Sequence, residues 1–406
     1  MSKLIVIDRG AQQIRILEGD TRGSRVVVRK LTTLAAPEGQ EAEMEAARTL
    51  VQQALQSAAG SGAKVVGLIG RSQAVLRDLR LPDAPAEEIP AMVEMQAMRE
   101  LSFPVEEAAI DFDVVGPPDE EGQRRIILAA LQKDVIDRYR RTLSATHLEL
   151  SRIGLRPYAT WRAYRQVAVI PEGAVLIVSM AGESLELTVA RGESVLFSRA
   201  TLLRGASDGK SESFDPAQAL VAEVRRTIAA FDNQGTGINV ERIALAAGGD
   251  EHQKLGDALA AGLSIAVDRF DPFQAVELGR EVKEEAGDSA GDRGAFVAAI
   301  GAAISINEPW PIDFLSPKKP VIKRDRRKPI ALVSAAAAVL IVAGSYAMVQ
   351  IQLASGRGKI DDLVNQQAGM QKGLKESGET IRKYQAIEQW SKAESNALKE
   401  LQRLTE

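Results

Sequence analysis

Residues 3–18 read KLIVIDRGAQQIRILE, and residues 174–190 read AVLIVSMAGESLELTVA. Each is a pair of apolar, β-branched runs around a short turn with glycine, the pattern of an antiparallel hairpin. Around the first, the pattern predicts strands at 3–8, 13–18 and 25–31, a helix at 41–58 and a strand at 65–70. Around the second it predicts strands at 174–178, 184–190 and 194–199, a helix at 216–232 and a strand at 242–247. The order βββαβ thus occurs twice, about 170 residues apart, which predicts an α/β protein of two like lobes with a cleft between them.

Between the copies, LRDLRLP reads as a strand, 86–101 as a helix, AIDFDVVG and RRIILAAL as strands, 133–145 as a helix and LELSRIGL as a last strand. That order, βαββαβ, predicts a small inserted subdomain over 78–155. The polar stretches 205–214 and 283–294 read as surface loops.

Composition closes off several kinds of chemistry. At 406 residues and 45% hydrophobic content the chain can bury ordinary cores. It has no cysteine, so disulfides, thiolate metal sites and thiol nucleophiles are excluded. Its two histidines, His147 and His252, stand far apart in helix-forming surroundings and are read as surface or packing residues rather than ligands.

The net charge of −4 is unevenly spread. Residues 318–328 hold seven Lys/Arg against Asp325, a surplus of +6, and residues 351–406 carry +1, which leaves about −11 on residues 1–317. An acidic body argues against nucleic-acid binding. Residues 329–349 are 21 uncharged, mostly apolar residues, long enough as a helix to cross a bilayer. The cations all lie on the N-terminal flank of this span, so residues 1–317 are expected in the cytoplasm and the carboxyl end outside. Beyond it, Ile360, Leu363, Met370, Leu374, Ile381 and Tyr384 fall on one helical stripe, a coiled-coil-like stalk in need of a partner, which Gly369, Gly373 and Gly378 weaken.

The stretches 5–18, LRLPDAPAEEIPAMVEMQAMRELSFPVEEAAIDFDVVG at 79–116, AALQKDVIDRYRRTL at 129–143 and IALAAGGDEHQKLGDALAAGL at 243–263 carry a family likeness. The chain resembles the actin-like ATPase superfamily and, within it, the type IV pilus assembly protein PilM and the cytoplasmic part of the type II secretion protein GspL. The resemblance implies lobe I over 1–77 and 156–172, the inserted subdomain over 78–155, lobe II over 173–308, a peptide and basic linker over 309–328, a span over 329–349 and a periplasmic stalk over 350–406. In the superfamily an acidic residue and a glycine in the first hairpin cradle phosphate and Mg²⁺. Asp8 and Gly10 match them here, with Gly182, Gly248 and Gly249 as further nucleotide candidates. The same residues could equally be shaping tight turns. Ala11 and Ser179 depart from the pattern, Ser179 standing where the second lobe usually carries aspartate. ATP with Mg²⁺ is therefore expected at most as a structural ligand, without catalytic residues and without a metal other than one held through Asp8.

PilM clamps a peptide of the type Ile-Asn-Leu-Leu-Pro at the cytoplasmic tip of its membrane partner PilN, and Ile312, Asp313, Phe314 and Leu315, followed by Ser316, resemble it. Flanked by Pro311 and Pro317, this segment is expected to stay extended and to pair with a sheet edge between lobe I and the inserted subdomain. The layout resembles a PilM body fused to the front of a PilN, as in GspL. A small α/β domain would be expected after such a stalk; the 406 residues stop at Glu406 in helical pattern. The expected role is an inner-membrane platform that couples a cytoplasmic assembly ATPase to envelope components, with PilN/PilO-like or GspM-like proteins and other copies of itself as partners. The alternatives are a membrane-anchored actin-fold ATPase and an FtsA-like cytoskeletal polymer.

Overall fold

The computed structural model describes residues 2–403 apart from 11–12, 24, 36–40, 57–61, 145, 147, 204–214, 248–249, 281, 283–289 and 321–326. Ala11, His147, Gly248, Gly249, the loop 205–214, most of the loop 283–294 and the cations at 323, 324 and 326 lie outside the described residues. The chain divides into two units, Met1–Val321 and Ile322–Glu406.

In the first unit the described strands form three sheets. The first contains β1 (Ser2–Arg9), β2 (Gln13–Arg22), β3 (Arg25–Ala35) and β4 (Lys64–Ile69), with α1 (Glu41–Leu55) as the crossover between β3 and β4. The inserted subdomain follows with β5 (Val75–Pro82), α2 (Ile89–Glu100), β6 (Ala108–Val115) and β7 (Gln123–Gln132); then come α3 (Lys133–Leu143), β8 (Leu150–Leu155) and α4 (Arg156–Val167). The second lobe runs β9 (Ala174–Ala181), β10 (Ser184–Arg191), β11 (Ser194–Leu202), α5 (Pro216–Asp232), β12 (Val240–Ala246), α6 (Asp250–Gly262) and β13 (Ala266–Phe270). A two-residue β14 (Glu277–Leu278) and α7 (Val297–Ile304) close the body.

The duplication appears in the pairing. One sheet is ordered β14-β3-β2-β1-β4-β8 and the other β11-β10-β9-β12-β13, so each lobe has its hairpin strands at one side and its parallel crossover strands at the other. The central strands are buried in unbroken runs, Leu4–Ile7 in β1 and Ala174–Val178 in β9, because helices cover both faces. The helix α5 shows how locally this is encoded. Asp215 caps it by accepting from the Ala217 N–H, Pro216 opens it, and Leu220, Val224, Thr227 and Phe231 form its buried stripe.

The expected βαββαβ subdomain is corrected at its end. Its own sheet is β5-β7-β6, whereas β8 runs parallel to β4 as the edge strand of the lobe I sheet. The strand pattern in 148–155 is real, but a parallel partner lay one lobe away: Ile153 and Leu155 pack into the core shared with β1 and α3. Tyr139 of α3 donates its hydroxyl to Leu68 O at 2.7 Å, which ties that helix to lobe I as well. The inserted unit is therefore βαββ, and β13 and β14 are strands that periodicity did not pick out.

The second unit holds α8 (Arg327–Arg403), 77 residues or about 115 Å of continuous helix. The span and the stalk are one element, and Gly369, Gly373 and Gly378 do not interrupt it. Within Val333–Lys392 a window reaches mean hydropathy 1.7, long and apolar enough to cross a membrane.

Candidate functional site

Asp8, the expected phosphate and Mg²⁺ ligand, lies at the end of β1 and is wholly buried. One oxygen of its carboxylate, Oδ1, is already engaged, while Oδ2 is buried with no hydrogen-bond partner among the described residues. Arg156, the first residue of α4, donates through Nε to Asp8 Oδ1 at 2.9 Å and brings Nη2 to 2.7 Å from the same oxygen. The other fork of the guanidinium, Nη1, donates to Glu186 Oε1 of β10 at 2.8 Å. Arg71, just beyond β4, gives its backbone N–H to the same Glu186 oxygen at 2.8 Å and its Nε to Ser198 O of β11 at 2.7 Å. Arg15, opposite Asp8 in the β1–β2 ladder, holds Nη1 4.0 Å from Asp8 Oδ2.

The electrostatics follow from burial. Desolvation alone would lower the pKa of Arg156; Asp8 and Glu186 outweigh it and raise that pKa. A cation in the first turn of a helix also opposes the helix dipole, so the two carboxylates are what make this position tolerable.

The predicted nucleotide residues fare unequally. Gly10 makes the expected tight turn, its N–H donating to Gln13 O at 2.8 Å, and Gly182 takes the left-handed conformation in the β9–β10 turn, with φ 60°. Ser179 is buried and stands opposite Glu186 in the ladder. As the side chains stand, a guanidinium fills the space between Asp8 and Glu186 that a Mg²⁺–phosphate group would need, bonded to one oxygen of each carboxylate; Asp8 Oδ2 and Glu186 Oε2 are buried with no hydrogen-bond partner among the described residues. The close approach that glycine permits is also used by protein, since a Cβ at Gly70 would lie 3.1 Å from both Arg156 Nη1 and Glu186 Oε1, and one at Gly10 3.6 Å from Arg156 Nη2. Arg156, Glu186 and Arg71 were not legible as a site beforehand; the one available signal was an arginine opening a helix directly after a strand.

The second candidate is the segment 310–318. Ile312 and Phe314 are 1% and 2% exposed and join the core formed around β1, β8 and α3, with Leu315 half-buried against it. The segment lies between β8 and β6. Phe314 donates its N–H to Ile153 O at 2.9 Å, and the Ile153 N–H donates to Asp313 Oδ1 at 3.1 Å, so the open edge of β8 is satisfied there by one backbone bond and one carboxylate. On the other side Asp313 donates its N–H to Asp111 Oδ2 at 2.8 Å. Lys318 reaches back to the same carboxylate at 2.9 Å and to Phe112 O at 2.7 Å, its ammonium 4.9 Å from the Phe112 ring centroid.

The expected extended pairing is corrected in one respect. Asp313 accepts from the Leu315 N–H at 3.0 Å with its side chain and from the Ser316 N–H at 3.2 Å with its carbonyl, which turns the chain away from β8 after a single pair. An aspartate at this point favours such a turn, which is why strand-like addition stops. Upstream, Trp310 is buried, donates Nε1 to Ser305 O at 3.0 Å and has the guanidinium carbons of Arg152 and Arg162 at 5.1 and 5.7 Å from its ring. A Cβ at Gly154 would come within 1.9 Å of Trp310 Cζ3, so glycine is required in that strand.

Asp113, two residues along β6 from Asp111, accepts from the Tyr158 hydroxyl at 3.2 Å. Burial pushes its carboxyl up to about 6, against the downward pull of the Tyr158 hydrogen bond and of Lys318.

Comparison with known proteins bears on the family and the fold. The family model for the type IV pilus assembly protein PilM matches residues 6–211. A solved PilM–PilN type IV pilus biogenesis complex covers 75% of this chain and 99% of its own at 22% identity, with a TM-score of 0.62. The cytoplasmic domain of EpsL, an inner membrane component of the type II secretion system of Vibrio cholerae, covers 78% of this chain and 98% of its own at 12% identity and a TM-score of 0.45. A Bacteroides thetaiotaomicron protein with an actin-like ATPase fold covers 68% and 95% at 7% identity and a TM-score of 0.40. With the family match spanning half of the chain and the duplicated lobes in place, this chain has the actin-like fold and belongs to the PilM family of type IV pilus assembly proteins.

Proposed function

We propose that this chain is an inner-membrane platform subunit of a type IV pilus-like or type II secretion machine, in which a PilM body and a PilN-like membrane segment are one polypeptide. The observation that carries this reading is the seating of residues 310–318 between β6 and β8 of the same chain, immediately before a basic stretch and a helix long enough to span a bilayer. The relative solved in complex with PilN offers a precedent for a body of this fold that takes up a partner protein. In this reading Ile312, Asp313, Phe314 and Leu315 are the docking motif and Lys318 its lock. The cations of 318–328 hold the acidic body in the cytoplasm, and the helix beyond the span reaches the periplasm.

The role is that of a scaffold rather than an enzyme. It relays contact between a cytoplasmic assembly ATPase and envelope components, with PilN/PilO-like or GspM-like proteins and further copies of itself along the exposed apolar stripe of α8. The test is purification of the full chain from membranes under mild detergent with identification of what accompanies it. Recovery of a secretion-type ATPase and other bitopic inner-membrane proteins is the expected result. Recovery of the chain alone, or as a nucleotide-dependent filament, sinks the platform reading.

A further inference from the structure

The duplication makes one feature of the cleft readable. Asp8 faces Arg15 across the β1–β2 ladder, and Ser179 faces Glu186 across β9–β10. Both lobe II positions lie 171 residues after their lobe I counterparts, 179 against 8 and 186 against 15. The two lobes thus present equivalent ladder sites with different charges: carboxylate and guanidinium in lobe I, hydroxyl and carboxylate in lobe II. The acid that the second lobe lacks at 179 is found one strand over, at 186, and the two hydrogen bonds it receives come from Arg156 and Arg71 of lobe I.

We propose that Arg156 is a resident clamp between the lobes: its guanidinium bridges Asp8 and Glu186 where a Mg²⁺–phosphate group would otherwise join the two hairpins, so the cleft stays closed without nucleotide and does not admit Mg·ATP. Three observations support this. The guanidinium spends one edge on Asp8 and one corner on Glu186, the geometry of a bridging cation. With Arg15 alongside, the two buried carboxylates face two buried guanidiniums and the Arg71 guanidinium lies at the same seam, so the carboxylate charge is already balanced and a divalent cation added here would be uncompensated by the protein. The backbone approaches at Gly10 and Gly70, which would let phosphate come near, are filled by the Arg156 side chain. Arg71 closes the same seam through Ser198. The clamp stands apart from the platform reading: a body that bound ATP could still be a platform, and a clamped body could belong to another machine.

The chain has no native cysteine, so Gln53→Cys on α1 and Gln218→Cys on α5, both exposed, give one spin-label pair across the lobes of the full-length protein in detergent. The expected result is a narrow distance distribution and an unfolding midpoint that both stay put, within about 1 °C for the midpoint, when millimolar Mg·ATP is added. Arg156→Ala should broaden or lengthen the distance and lower the midpoint by about 5–15 °C, and Arg156→Lys should recover part of both, since it keeps the charge and loses the fork. Should Arg156→Ala fail to fold, Glu186→Gln carries the same test, with a smaller shift in the same direction. A rise in the wild-type midpoint or a change in distance with Mg·ATP overturns the exclusion of nucleotide. An unaltered lobe distance in the folded Arg156 or Glu186 variants overturns the clamp.

Discussion

Truncating Phe314 to alanine should release residues 311–318 from the body while leaving the lobes folded. Removing a fully buried phenylalanine costs about 3–5 kcal/mol, and a buried isoleucine such as Ile312 about 2–5 kcal/mol. The two side chains together contribute about 3–6 kcal/mol of apolar burial to docking before ordering costs. The loss has a ceiling, however, because once the segment has left the groove nothing further can be lost. Single variants should therefore make opening about 100- to 1,000-fold more frequent, and Ile312→Ala combined with Phe314→Ala should fall well short of the sum of the two. Hydrogen exchange on the full chain in detergent reads this directly, since the amides of Ile153, Asp313 and Phe314 are all bonded across the groove. Peptides covering 108–115, 148–155 and 311–318 should lose protection together, while β9–β11 stay as they were. Leu315→Ala, at a half-buried position, should change exchange by less than about fivefold. Full protection of 148–155 in the Phe314 variant would mean that these side chains do not hold the segment, and the docking argument would fail.

Further consequences can be checked separately. Gly154→Ala places a Cβ on Trp310 and should cost about 1–3 kcal/mol, with a red shift of Trp310 emission in a background where Trp161 and Trp390 are phenylalanine; an unshifted spectrum would show that the ring has room to move. Asp113, whose carboxyl is raised to about 6 in the folded protein against 3.8 for the ordinary group, favours folding when protonated. Its contribution is complete below about pH 4 and lost as pH rises through about 6, so thermal midpoints should fall over that interval; Asp113→Asn should flatten the slope, and an unchanged slope would assign it to another group. If the basic flank sets the topology, protease added to spheroplasts should remove only the tail after about residue 350, whereas loss of the acidic body would reverse the orientation.

The hairpins KLIVIDRGAQQIRILE and AVLIVSMAGESLELTVA, the helix 216–232 and the uncharged run after residue 328 are local patterns, and alternation, capping and length suffice to read them. The duplicated lobes and the candidate span therefore came from the sequence by itself. Which sheet β8 joins did not, because a parallel strand carries no mark of its partner and its neighbour β4 lies more than eighty residues earlier. The peptide was legible as an apolar segment between prolines; its turn at Asp313 and its anchors Trp310, Asp111 and Lys318 depended on groups brought together over some two hundred residues. The cleft is the sharper case. Asp8 and Gly10 look the same in sequence whether they meet magnesium and phosphate or a guanidinium, and only the folded chain sets Arg156, some hundred and fifty residues from Asp8, between Asp8 and Glu186.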